Sequence, residues 1–136
     1  MSFRSISLAC TALVALSGAA WAHHSHANYE GTKVIQVSGT VTEYQFVNPH
    51  TWIYLTVTGA DGQPEEWALE SGSTGQLIRR GWKKDSMKPG DKITAHVKPL
   101  KDGSNGGVLG VIVLADGPNL RAPFGDIDPP GTKCAR

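Results

Sequence analysis

From Lys33 onward the chain alternates. Ile35, Val37, Gly39 and Val41 share one parity and Gln36, Ser38, Thr40 and Thr42 the other, the period-two pattern of a strand with one buried face. The phase then slips, because Tyr44 and Phe46 are the next large residues. A bulge or tight curve between Val41 and Tyr44 is therefore predicted, with Gly39 easing the bend. Asn48-Pro49 ends this strand, since proline has no N–H to give to a ladder. A second strand follows, with Ile53, Leu55 and Val57 on one face and Trp52, Tyr54 and Thr56 on the other. Ala60-Asp61-Gly62-Gln63 predicts a hairpin turn, and a third strand over about residues 65–70 points Trp67 and Leu69 inward.

Ser71 to Thr74 then offers helix N-caps, and Gln76 to Arg80 makes one or two turns that end at Gly81. Lys88-Pro89-Gly90-Asp91 is a tight turn into a fourth strand with Ile93, Ala95 and Val97 inward. Asp102 to Gly107 is a glycine hairpin, and the fifth strand, Val108 to Ala115, is apolar on both faces and expected to be the most buried. Three strands, a short helix and two strands is the order of a five-stranded OB-like barrel, although a small open β-sandwich gives the same pattern. The predicted fold is thus all-β with one short helix, the barrel domain occupying residues 33–117. Residues 118–136, with Pro118, Pro123, Pro129 and Pro130 and little alternation, are expected to be a Pro/Gly-rich disordered tail.

The N-terminus changes the picture. Residues 1–22 have the three parts of a secretory signal peptide: Arg4, an apolar run from Ile6 to Ala20, and small residues at Ala20 and Ala22 before the cut. An apolar run of roughly 15 residues is short of the ~20 needed to span a bilayer, so export with cleavage to a periplasmic or secreted protein is expected. Nothing after residue 22 is long or apolar enough for a membrane span. Cleavage would remove Cys10 and leave Cys134 as the one mature cysteine, so no internal disulfide can form. It would also remove Arg4, leaving basic and acidic side chains in balance, which argues against a dedicated polyanion binder.

Cut after Ala22, the mature chain begins His23-His24-Ser25-His26, a histidine-rich segment within residues 23–32. The new α-amine beside imidazoles is a nitrogen-donor set of the kind that copper, nickel and zinc prefer. His23 would chelate through its amine and its own ring, as the first residue of a copper histidine brace does. An α-amine and an imidazole, with ordinary pKa values of ~8 and ~6.5, give up their protons to a metal cheaply at neutral pH. His24 or His26 would supply a second ring. The amine–copper motif that needs histidine third in the chain is not met, because Ser25 stands there.

His23-His24-Ser25, Asn48-Pro49-His50, Leu77-Ile78-Arg79-Arg80-Gly81-Trp82 and Lys88-Pro89-Gly90-Asp91, taken together over roughly residues 1–117, resemble a domain-of-unknown-function family of small exported bacterial proteins. The resemblance implies an exported β-rich domain with no established activity. It also makes His50 the candidate domain-anchored ligand. His50 stands at the far end of strand one from the histidine leader. At ~3.3 Å per residue a straight strand of about 14 residues separates its ends by up to ~45 Å, so barrel curvature and a folded-back leader are needed to bring them together. The competitor is His96, on the end of strand four that approaches Lys33 but expected to face outward.

Other chemistry is thinner. Arg79-Arg80-Gly81-Trp82-Lys83-Lys84 would suit a polyanion on an OB-type scaffold, but cations near a helix C-terminus and a core tryptophan explain it more simply, and no nucleic acid partner is expected. Glu66 and Glu70 alternate with inward residues and should be solvated outer-face charges. No nucleophile triad, Walker loop or dinucleotide fingerprint is present. The expectation is a periplasmic binding module rather than an enzyme, taking a transition metal ion, copper favoured, at His23, His24, His26 and His50. The alternative is a non-metal adaptor or ligand-binding barrel that offers Trp52 and Tyr54 to a periplasmic protein partner or small molecule.

Overall fold

A computed structural model of the protein describes residues 28–124 and Ile127. His23, His24 and His26, residues 1–22 with their expected signal peptide, and Cys134 lie outside the described residues. The elements run β1 (Ile35–Gln45), β2 (Trp52–Thr58), β3 (Pro64–Glu70), α1 (Thr74–Ile78), β4 (Lys92–Pro99), β5 (Gly106–Leu114) and β6 (Leu120–Arg121). β1 pairs antiparallel with both β2 and β4, β4 with β5, and β5 runs parallel to the end of β3. That last pairing, Ala68–Glu70 against Gly106–Val108, closes five strands into a mixed barrel. The open sandwich is excluded by this closure.

Alternation decides which side chains fill the barrel. Val37 and Val41 of β1, Ile53 and Leu55 of β2, and Ala95 and Val97 of β4 are buried together. The phase slip is a register shift between Val41 and Glu43, after which Tyr44 and Phe46 pack against the same core. Gly39 serves a close approach rather than simple bending: a Cβ there would stand 2.6 Å from the Thr56 carbonyl oxygen. The helix begins where Ser73 caps it, its Oγ accepting from the Gln76 N–H while the Gln76 side chain accepts from the Ser73 N–H. Trp82 follows Gly81, which has φ +85°, and is buried with Nε1–H donating to the Arg121 carbonyl at 2.8 Å.

Three expectations are corrected. Residues 118–124 are part of the packed body: β6 pairs with Val111 and Ile112 of β5, and Leu120, Ala122 and Ile127 are buried. The reason lies in β5, whose two apolar faces leave Val108 and Val111 needing cover outside the barrel; the prolines flank β6 without interrupting it. His96 is 7% exposed instead of solvated. It sits between Gln36 of β1 and Val111 of β5. Glu70 is the third correction, and it makes the site.

Candidate functional site

The hairpin register sets the geometry. β2 and β3 pair with Trp52 opposite Glu70, and the ladder continues beyond the strands through Thr51 N–H to the Gly72 carbonyl and Ser71 N–H to the Thr51 carbonyl. Glu70 therefore points outward beside the chain that enters β2. That chain is the Asn48-Pro49-His50 loop, which carries a cis Asn48–Pro49 peptide bond. Asn48 Oδ1 accepts from both the N–H and the hydroxyl of Thr74, at 3.1 and 2.9 Å, tying the loop to the start of α1. His50, held just after this tie, pairs through Nδ1 with Glu70 Oε1. The imidazole is 40% exposed and the carboxylate 8%.

The other carboxylate oxygen is also taken. Tyr29 O–H donates to Glu70 Oε2. Tyr29 belongs to the N-terminal arm, which is seated along the end of β4: Tyr29 bridges Leu100, Glu30 N–H donates to the Pro99 carbonyl, and Lys101 N–H donates to the Asn28 carbonyl. Burial first, then the hydrogen bond to Glu70 and its charge, push the Tyr29 phenol well above its usual range, so it remains a donor. One buried carboxylate thus joins the arm to His50. The separation expected along a straight strand one does not arise, because the β3–β5 pairing that closes the barrel sets the end of β3 beside the end of β4, where the arm continues the antiparallel ladder of β1.

Around this cluster the outer face is aromatic. Trp52, opposite Glu70, stacks on Tyr54 with ring centroids 6.3 Å apart and planes 19° from parallel, both rings half-buried. Glu66 is exposed and accepts from Thr56, as its place in the alternation predicts. His96, on β4, is flanked by Gln36 and Val111 and is not joined to the cluster; burial lowers its pKa below the ordinary imidazole value. In the basic segment Arg79, Arg80, Lys83 and Lys84 are exposed, but Trp82 is core and offers no stacking platform. Among the described residues no group of three or more His, Cys, Asp or Glu side chains is placed to hold a metal ion.

Sequence reasoning singled out His50 but missed Glu70 and Tyr29. Glu70 obeys the alternation, so its side chain does face outward; the arm and the His50 loop then cover it. Counting back from the Gly59–Gln63 pair, which closes the hairpin, sets Trp52 opposite Glu70 with His50 beside it, whereas counting from the 60–63 turn read in the sequence sets Trp52 opposite Ser71, one residue off.

A family model matches residues 11–109, a span that holds Tyr29, Asn48, His50 and Glu70 and ends within β5. The chain belongs to DUF6152, a family of unknown function. No curated protein and no solved structure matches it. The DUF6152 span thus contains the whole Tyr29–Glu70–His50 cluster, while β6 and Ile127 lie beyond it.

Proposed function

We propose that this DUF6152 protein is an exported periplasmic module that binds a transition metal, copper first, at its processed N-terminus. His23 contributes its α-amine and ring, His24 or His26 a second ring, and His50 the ring anchored on the barrel. The task is sequestration or transfer of the ion, with no turnover required. The observation that carries this reading is the Tyr29–Glu70–His50 cluster, a hydrogen bond from the Tyr29 hydroxyl and a pairing of His50 Nδ1 on one carboxylate. It seats the arm that follows the histidines next to the barrel histidine. Three residues span at most about 11 Å fully extended, which bounds how far along the chain His26 can stand from Tyr29. Nitrogen donors of this kind favour copper over the other divalent ions of the first row, and the ligating groups are neutral or easily made so near pH 7.

The test is a competition titration with Cu(II) on protein recovered from the periplasm, its terminus confirmed by mass as His23. One ion should bind tightly, and a form with one extra N-terminal residue should lose most of that affinity. His50→Ala should weaken binding while leaving one-to-one stoichiometry. Equal affinity for all three forms would reduce the cluster to a tag-like binder. The half-exposed Trp52–Tyr54 stack favours a second reading, an adaptor whose aromatic face takes a partner protein or small ligand. In that case Trp52→Ala impairs function and His23→Ala does not.

A further inference from the structure

We infer that Glu70 is the positioning residue of this site, holding His50 in one tautomer with Nε2 turned outward and fixing the arm through Tyr29. This rests on the metal reading above. Three facts converge on it. The carboxylate is nearly buried, so each of its oxygens needs a partner; one takes His50 Nδ1 and the other takes the Tyr29 hydroxyl. His50, by contrast, is substantially exposed. An Nδ1–H donated to a carboxylate leaves the lone pair on Nε2, the nitrogen that then binds a metal. Finally, Tyr29 sits on backbone that is itself paired to Leu100 and Pro99, so its hydroxyl fixes the arm in register instead of merely touching it. One side chain thereby meets both the barrel histidine and the arm.

The two roles separate by substitution. Glu70→Leu keeps bulk and removes both acceptors. In metal-free protein, long-range proton–nitrogen NMR should find His50 as the Nδ1–H tautomer in the parent and as a mixture in Glu70→Leu. Copper affinity should fall roughly 10–100-fold, with a changed Cu(II) hyperfine splitting in the EPR spectrum, and Glu70→Gln, which retains one acceptor oxygen, should recover part of both. Tyr29→Phe should keep the parent tautomer and lose several-fold in affinity. It carries the test if Glu70→Leu does not fold, as judged by circular dichroism. An unchanged tautomer and unchanged EPR spectrum in folded Glu70→Leu overturn the positioning role; if His50→Ala is weakened at the same time, the metal reading survives that loss. Unchanged affinity in His50→Ala as well removes both.

Discussion

At the scale of single residues, buried polar atoms separate those with a function from those that are merely tolerated. Thr51 and Ser71, one residue after His50 and one after Glu70, are wholly buried with hydroxyls that have no hydrogen-bond partner among the described residues. An unmade hydrogen bond costs about 1–3 kcal/mol, while an apolar isostere at the same place is often neutral or stabilising. Thr51→Val should therefore raise stability, or leave it unchanged, in urea denaturation; a loss above about 1 kcal/mol would mean that the hydroxyl has a partner after all. His96 gives a pH prediction. Burial depresses its folded pKa below the 6.5 of the free side chain, so the unfolded chain binds more protons below that value. Its penalty is absent above pH 6.5 and grows as the pH falls through 6.5 toward the depressed folded value. Between about pH 7.5 and 5.5, His96→Gln should lose less stability than the parent does, and parallel losses would remove His96 from the acid limb.

Elements were legible where one strand face is buried and the other wet. The alternation in β1, β2 and β4 marks the inward residues correctly, and the slip after Val41 marks the shift before Glu43. What alternation cannot carry is the identity of whatever covers an outward face. Glu70 and His96 both point away from the core as predicted and both are buried, Glu70 with the arm and the His50 loop lying against it. The role of Gly39 was likewise half visible, since a glycine in a strand signals either a bend or a close approach. Here it is the approach: the atom nearest to an added Cβ is a backbone carbonyl in a paired strand, which cannot rotate out of the way. Gly39→Ala should cost about 1–3 kcal/mol, and circular dichroism melts would detect it as a lower Tm. Gly62, at the tip of the β2–β3 hairpin, has open space around it but a φ of +81°, so its substitution strains the backbone without crowding anything.

At the scale of the whole molecule, the barrel is closed by β3 and β5 but finished from outside by the chain beyond β5. A Cβ on Gly110 would lie 2.2 Å from Ile127 Cβ and under 3 Å from two more of its carbons, so that glycine is the space in which the isoleucine sits. The contact binds a residue late in the chain to the one strand whose outer face is too apolar to leave in water. Deleting a fully buried isoleucine side chain costs roughly 2–5 kcal/mol. Gly110→Ala should cost a similar amount by evicting Ile127, since no rotamer moves a Cβ. Two changes that break the same contact do not add. Ile127→Ala and Gly110→Ala should each lower the free energy of unfolding by about 2–4 kcal/mol, and the double variant should be little worse than either. The coupling in such a cycle measures how firmly the end of the chain is held on the barrel. Additive losses would instead mean that Gly110 is needed for β5 itself, where the β4 pairing shifts register between His96 and Val97, and that Ile127 is covered by something else.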